Sequence, residues 1–199
     1  MNTYKDKPLY LIVGKSASGK DTFADAACQR FGLTKVLTYT NRPKRGYKED
    51  THLFVDAQWF KDHEKDLVAS LEYDGFMYGV TEELINAGDC IILDPKGVQN
   101  VIDSVDRKCI VIEMNLPIAD RAQRLQARSE EKYDGYKEDE IIQRLLADYL
   151  LFGADFCTRV YSNAQCYRVS SGYKLNRKEV ESLDQWLEKY AENVAEITS

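Results

Sequence analysis

Residues 14–22, GKSASGKDT, directly follow the apolar run LYLIV of residues 9–13, and the fold can be worked out from this junction. An apolar run of this length predicts a buried strand, and the small residues after it predict a turn into a helix. Backbone N–H groups in such a loop surround an anion at the N-terminus of the helix. The G-x-x-x-x-G-K spacing is that of a phosphate-binding P-loop.

The glycines, the lysine and the residues after it in this loop each have an expected chemical role. Gly14 and Gly19 allow backbone conformations that a Cβ would obstruct, and the Lys20 ammonium is expected to reach the β and γ phosphates of a triphosphate. The Ser or Thr that usually follows the lysine as a Mg²⁺ ligand is Asp21 here, with Thr22 one place later. Asp21 is expected to hold the metal through water, or Mg²⁺ rests mainly on phosphate oxygens and solvent. The predicted nucleotide-binding residues of the loop are Gly14, Ser16, Ala17, Ser18, Gly19, Lys20, Asp21 and Thr22. The alternative is an ordinary glycine-rich turn.

Size and composition favour a single domain. The chain has 199 residues, of which 44% are hydrophobic, enough for one well-buried core. A net charge of −6 gives no reason to expect a nucleic-acid partner or an acidic membrane surface. The longest apolar runs are strand-sized, well short of the roughly 18 residues of a membrane span. The N-terminal residues lead directly into the first predicted strand, so no secretion signal is expected.

The cysteines and histidines argue against a disulfide framework or a metal centre. The chain has 5 cysteines without C-x-x-C spacing, which predicts reduced core thiols and a cytoplasmic protein; a disulfide or zinc role is the alternative. His52 and His63 are the only 2 histidines, so a histidine-based centre has little material.

Strand and helix patterns alternate along most of the chain. A helix is predicted at 21–31 and ends at Gly32, and buried strands are predicted at 35–37, 90–93 and 109–112, with a weaker one at 158–161. Helices are predicted at 117–128 and 138–151, and a terminal helix begins with a capping pattern of Asn176 and Glu179 and extends to Val194. This alternation predicts an α/β fold, a three-layer α/β/α arrangement with a central parallel sheet.

Residues 51–78 interrupt this rhythm. Short strands are predicted at 52–55 and 67–73 around a small helix that begins at Asp56, and Asp74-Gly75 predicts a hairpin into 76–78. A helix is then expected to start after Thr81 and to end at Gly88. A small mixed α+β insertion is therefore predicted within the α/β core.

With these motifs in their order, the sequence resembles the guanylate kinase family of P-loop kinases from about residue 9 to about residue 190. The segment TNRPKRG at 40–46 is similar to the family's T-T-R-x-P-R-x-G acceptor loop with one residue missing. HLFV at 52–55, GFMYGVT at 75–81 and ILDPKGV at 92–98 are similar to its next three motifs. RLQAR at 124–128 and the later pair Arg144-Leu145 are similar to the motifs that flank its lid.

The resemblance implies a P-loop kinase fold and a set of site residues. It implies a core of about 1–37 and 82–199, an acceptor-binding insertion of about 38–81 and a short lid of about 128–140. It further implies an ATP- and Mg²⁺-dependent transfer of the γ-phosphate to a small phosphorylated acceptor, most readily GMP or dGMP, by a monomer or homodimer. Lys20, Arg128 and Arg144 are the implied catalytic residues, and Asn163 is the adenine-side residue. The implied acceptor-binding residues are Arg42, Lys44, Arg45, His52, Glu72, Tyr78 and Asp94, with Arg45 and Lys44 alternatives for one phosphate contact and Asp94 also near the metal.

The sequence departs from the family pattern on the acceptor side. The family's guanine-reading carboxylate falls at Ala69, and Glu72 lies three positions later and replaces it only if the strand register slips. His52 stands where the family has tyrosine, and Val80 where it has Ser or Thr. Ribose 1,5-bisphosphate phosphokinases resemble the chain at these places, so a sugar-phosphate acceptor is an alternative. A catalytically silent guanylate-kinase-like module that binds a protein partner is a second alternative.

Overall fold

The computed structural model describes residues 7–44, 51–131, 138–153, 161, 163–170, 173–175 and 179–194. Within these ranges the strands are β1 (Leu9–Val13), β2 (Thr38–Thr40), β3 (His52–Phe54), β4 (Leu67–Tyr73), β5 (Phe76–Thr81), β6 (Cys90–Leu93), β7 (Cys109–Asn115), β8 (Gln165–Ser170) and β9 (Glu192–Asn193). The helices are α1 (Lys20–Phe31), α2 (Ala57–Asp62), α3 (Glu82–Asn86), α4 (Pro95–Ser104), α5 (Ile118–Glu131), α6 (Glu138–Phe152) and α7 (Leu183–Tyr190), with a short 3₁₀ helix at Glu64–Asp66. None of the helices in these ranges is long and apolar enough to cross a membrane.

The main sheet has the strand order β6-β1-β7-β8-β9. Strands β6, β1, β7 and β8 pair in parallel, and β9 pairs antiparallel with β8 at the edge. All five residues of β1 are buried, since this strand lies between β6 and β7 with packed side chains on both faces. The predicted α/β fold with a parallel sheet is therefore confirmed.

Helices cover both faces of this sheet. On one face α1 contributes Phe23, Ala24 and Ala27, which pack with Trp186 and Leu187 of α7. The other face packs against side chains of α3, α4 and α6. As predicted, α1 ends at Gly32, which has a φ of 67° and donates its N–H to the carbonyl of Cys28.

A second sheet with the order β3-β2-β5-β4 forms from residues 38–81. The predicted hairpin joins β4 to β5 through Asp74 and Gly75, whose φ angles of 57° and 76° fit a tight two-residue turn. Asp56 caps α2 by accepting the backbone N–H of Trp59 at 2.7 Å, also as predicted. The predicted boundaries of core, insertion and lid remain predictions.

Several predicted elements differ from the structure. The strand predicted at 35–37 is reduced to a single bridge between Lys35 and Cys90. Helix α3 ends at Asn86 rather than at Gly88, where a Cβ would lie 2.5 Å from the Val36 side chain. Residues 158–160 of the weaker predicted strand lie outside the described residues.

The terminal helix is shorter than its apolar pattern predicts. It begins after Ser182, whose hydroxyl accepts the N–H of Gln185, and ends at Tyr190 because Ala191 is extended. The chain then enters β9, so Val194 lies beyond the helix. Asn176, the predicted cap, lies outside the described residues.

Candidate functional site

A cavity of about 280 Å³ lies where the carboxyl ends of β1 and β6 meet the second sheet and α6. This edge is expected to hold ligands, since the loops that follow parallel strands converge there. The P-loop side of its lining consists of Gly14, Ser16, Lys20, Asp21, Asp94, Arg144 and Asp148. Its remaining lining is largely apolar and includes Val36, Thr38, His52, Ala69, Leu71, Tyr73, Tyr78, Val80, Leu93 and Phe152.

The predicted P-loop is a tight turn between β1 and α1. Ala17 and Gly19 have φ angles of 59° and 96°, and the Lys20 ammonium donates to the carbonyl of Lys15 at 3.0 Å. A Cβ at Gly14 would lie 2.7 Å from the carbonyl oxygen of Met114 on β7, so this position accepts only glycine without a shift of the sheet. The Gly19 side has no side-chain cap, which leaves the N-terminus of α1 open to an anion.

Two arginines of α5 hold the loop from behind. Arg121 donates to the carbonyl of Ser16 at 3.5 Å, and Arg124 donates to the carbonyl of Ala17 at 3.3 Å. Because these carbonyls face the helix, they do not face the cavity. The hydroxyl of Ser18 is buried and has no hydrogen-bond partner among the described atoms.

A carboxylate that no sequence motif predicts contacts the loop directly. Asp148 of α6 accepts the backbone N–H of Ser16 at 2.9 Å and the Ser16 hydroxyl at 2.8 Å. It also pairs with Arg121 at 2.8 Å, and the side chains of Arg121 and Asp148 are only 5% and 2% exposed. No local motif announces this contact, because Ser16 and Asp148 are 132 residues apart in sequence.

Arg144 lies one helical turn before Asp148 and also lines the cavity. Its guanidinium lies 5.8 Å from the ring centroid of Tyr73, at the end of β4. The Tyr73 hydroxyl lies 3.4 Å from that of Ser16. The second sheet, α6 and the loop therefore meet at one point, which the sequence analysis did not predict.

Asp21 and Asp94 bring carboxylates to the same edge of the cavity. Asp94 caps α4 by accepting the N–H groups of Lys96 and Gly97 at 2.9 and 3.1 Å. Asp21 is exposed and lies 3.3 Å from the ammonium of Lys35, which also contacts an aspartate of the next turn of α1. Thr22 is exposed and does not line the cavity.

Lys35 is a further cation at this edge. Burial alone lowers the pKa of its ammonium, but the hydrogen bond to Asp25 and the negative charge of Asp21 act in the opposite direction. The net pKa lies above its usual value, so Lys35 stays charged at neutral pH.

On the acceptor side, the structure brings together His52 and Tyr78 but not Glu72. His52 and Tyr78 line the cavity with ring centroids 5.7 Å apart, and the imidazole lies 2.8 Å from the hydroxyl of Thr38. Glu72 is exposed and absent from the lining, because in the observed register it alternates with Leu71 and Tyr73. Ala69 lies in the lining where the family pattern has its carboxylate.

The predicted arginine-rich acceptor loop is only partly described, and its described cations point elsewhere. Arg42 is buried, donates to the carbonyl of Pro43 at 2.8 Å and lies over the ring of Phe54. Lys44 lies over the same ring at 4.9 Å, and neither residue lines the cavity. Arg45 lies outside the described residues.

The remaining predicted positions are Arg128, Asn163 and the lid. Arg128 belongs to α5, but its side chain lies outside the described part of the chain. Asn163 is exposed with a φ of 61° and does not line the cavity. Residues 132–137 of the predicted lid also lie outside the described residues.

Comparisons with known proteins support the fold at the level of structure only. No protein-family model and no curated sequence matches the chain. The crystal structure of guanylate kinase from Anaplasma phagocytophilum is similar with a TM-score of 0.56 and 16% identity, over 84% of this chain and 78% of that one. An unliganded sugar kinase from Janibacter sp. HTCC2649 has a TM-score of 0.41 and 11% identity, over 82% of this chain and 85% of that one. The first likeness shows a kinase-like α/β fold.

Proposed function

We propose that this protein is an ATP-dependent phosphotransferase that moves the γ-phosphate of ATP to a small phosphorylated acceptor, most readily a nucleoside monophosphate such as GMP or dGMP. The observation that carries the proposal is the glycine-rich loop with Lys20, which opens onto the same cavity as the second sheet and Arg144. A triphosphate bound at the loop would direct its terminal phosphate toward an acceptor held beside the second sheet. The structural likeness to a guanylate kinase agrees with this arrangement.

The loop has the features that a bound triphosphate requires. The close approach at Gly14, the uncapped N-terminus of α1 and the unpartnered hydroxyl of Ser18 suit a polyanion held at the start of α1, since the N–H groups of Ser16 and Ser18 already donate to Asp148 and to the carbonyl of Lys15. Lys20 then neutralises charge on the β and γ phosphates, in place of its contact with a loop carbonyl.

The residues around the loop also fit Mg²⁺. Asp21 and Asp94 supply hard oxygen ligands at the loop's edge of the cavity. The described residues contain no group of three or more His, Cys, Asp or Glu side chains that would hold a metal alone. This donor set suits an ion that keeps several waters and binds largely through phosphate oxygens, and the ion neutralises charge on those oxygens.

Positioning and charge neutralisation are the main contributions of this chain to the transfer. Lys20 and the loop orient the triphosphate, while Arg144, and Arg128 if lid closure brings it in, stabilise charge on the transferred group. His52 and Tyr78 offer hydrogen bonds to the acceptor on the opposite wall. Closure of the second sheet and α6 over bound ligands would exclude water and suppress hydrolysis.

A sugar-phosphate acceptor such as ribose 1,5-bisphosphate is the second candidate. The observation that favours it is the position of Glu72, which lies outside the cavity lining, while Ala69 and Val80 lie within it. An acceptor without a base has no need of a guanine-reading carboxylate.

A coupled assay of ADP release tests both candidates. The acceptors are GMP, dGMP, other nucleoside monophosphates and ribose 1,5-bisphosphate, each with MgATP. We expect saturable turnover with one class, and a loss of about 10²-fold or more in Lys20→Ala. Lys108→Ala is the matched control, because Lys108 is exposed at the opposite end of β7.

The outcomes separate the candidates. Turnover with ribose 1,5-bisphosphate and with no nucleoside monophosphate excludes the first candidate, transfer to a nucleotide. Binding of MgATP without turnover of any acceptor favours the silent module that binds a protein partner. If calorimetry detects no binding of MgATP, the phosphotransferase proposal is wrong.

A further inference from the structure

Asp148 is a buried carboxylate in direct contact with the phosphate loop, which is the predicted P-loop at residues 14–22. Its carboxylate accepts two hydrogen bonds from Ser16, one from the backbone N–H and one from the hydroxyl, at 2.9 and 2.8 Å. Arg121 balances its charge at 2.8 Å. Three parts of the chain that are distant in sequence, namely the loop, α5 and α6, therefore meet at this carboxylate.

Packing alone does not explain this buried ion pair. A buried pair stabilises a fold little relative to apolar side chains of similar size, because removing two charges from water is costly. What the carboxylate adds is direction, since it accepts both donors of Ser16 in one geometry, which a leucine at the same position cannot do. The pair is therefore better explained by its effect on the position of Ser16 than by its contribution to the stability of the fold.

Tyr73 links Ser16 to Arg144. The Ser16 hydroxyl donates to Asp148, so the Tyr73 hydroxyl at 3.4 Å is left to donate to the Ser16 oxygen. The Tyr73 ring lies beneath the guanidinium of Arg144, which is one turn from Asp148 on α6. Arg144 is thus held both by its own helix and by a ring that contacts the loop.

We propose that Asp148 is a positioning residue for phosphoryl transfer: by joining α6 to Ser16 of the phosphate loop, it sets where the Arg144 guanidinium stands beside the bound phosphates. This inference rests on the proposed function. The Asp148 carboxylate lines the cavity but is only 2% exposed, and its oxygens are engaged by Ser16 and Arg121, so the role inferred for it acts through Arg144. Its removal therefore lowers kcat more than it changes the KM for MgATP, since an arginine that is out of place weakens contacts made in the transition state.

The test replaces the ion pair as a unit. Arg121→Met with Asp148→Leu keeps the buried charge balanced, so the protein is expected to fold, but it removes the acceptor for Ser16 and the longer contact of Arg121 with the Ser16 carbonyl at 3.5 Å. With the acceptor that the wild type phosphorylates, we expect kcat to fall about tenfold or more and the KM for MgATP to stay within about threefold. Asp148→Asn, which keeps one acceptor oxygen for Ser16, gives an intermediate kcat.

A double-mutant cycle then shows whether the effect passes through Arg144. In an Arg144→Ala background, the pair replacement is expected to lower kcat by less than about twofold, because the group that it positions is absent. The control is Arg168→Met with Glu113→Leu, which removes a pair at 3.0 Å between the buried Glu113 and the half-buried Arg168, outside the cavity lining, together with an exposed contact of Arg168 with Glu192; we expect kcat to stay unchanged.

Each result decides the matter. Wild-type kcat in the folded pair replacement, or a loss that adds fully to that of Arg144→Ala, overturns the role of Asp148 while leaving the proposed function intact. An inactive wild type shows that the proposed function has failed, and the role of Asp148 fails with it.

Discussion

Gly14→Ala is the substitution for which the structure gives the sharpest expectation. The added Cβ would lie 2.7 Å from the carbonyl oxygen of Met114 and 2.9 Å from its Cβ, well inside ordinary van der Waals contact. Met114 belongs to β7, which pairs with β1 and β8 on its two sides, so its backbone cannot move without disturbing the sheet. We expect a loss of about 2–3 kcal/mol in the free energy of unfolding, the cost typical of overpacking. The midpoint of thermal unfolding is expected to fall by roughly 4–12 °C for a chain of this length.

A displacement of position 14 away from Met114 also moves residues 15–19 of the loop. We expect the affinity for MgATP to fall about tenfold or more, because the backbone N–H groups no longer converge. Urea unfolding followed by circular dichroism measures the first effect, and calorimetric titration with MgATP measures the second. Gly75→Ala is the control: its φ is 76° and nothing lies within 4 Å of the added Cβ, so only about 1 kcal/mol of backbone strain is expected and MgATP binding is unchanged. The reasoning is refuted if Gly14→Ala is the more stable of the two variants and binds MgATP like the wild type.

Two further predictions concern buried polar and thiol groups. Arg107→Ala removes a guanidinium that donates to a carboxylate and to three backbone carbonyls. Urea unfolding should therefore show a loss of about 3–5 kcal/mol in the free energy of unfolding, of which Arg107→Lys should recover only part. A loss below about 1 kcal/mol in Arg107→Ala contradicts this expectation. Iodoacetamide at pH 8, followed by peptide mass spectrometry, should label Cys28 before the other described cysteines, because a hydrogen bond from Cys90 lowers the pKa of this half-buried thiol. Burial raises the pKa of Cys109 to about 11 and that of Cys166 to about 12, so faster labelling of either would count against these environments.

The features that the sequence predicts correctly have local causes. The strand before the loop, the end of α1 at Gly32 and the hairpin at Asp74-Gly75 each follow from a few adjacent residues. Of the cavity lining, the sequence predicts the residues that lie within one such segment, such as Lys20, whose role in binding stays a prediction. By contrast, the direction of Arg42 depends on the ring of Phe54, which belongs to another strand.

The unpredicted part of the site depends on contacts between distant segments. Asp148 lies in an amphipathic helix among residues whose spacing marks no motif, and only the packing of α6 beside α5 brings it to Ser16. Ala69 lines the cavity where the family pattern has a carboxylate, and Asp148 lines it where no motif predicts one. The presence of an acidic residue in a segment therefore does not tell whether its side chain enters the cavity.

The loop at residues 14–19 is held by contacts from β7, α5 and α6, of which the last two share Arg121. Glycine at position 14 lets the loop press against β7, the arginines of α5 engage its carbonyls, and Asp148 fixes Ser16. A loop left to itself loses backbone entropy of about 1–2 kcal/mol per residue when it is ordered around a ligand. Here the protein fold has already ordered the loop, so under the proposed function binding of a triphosphate is expected to cost little of this entropy.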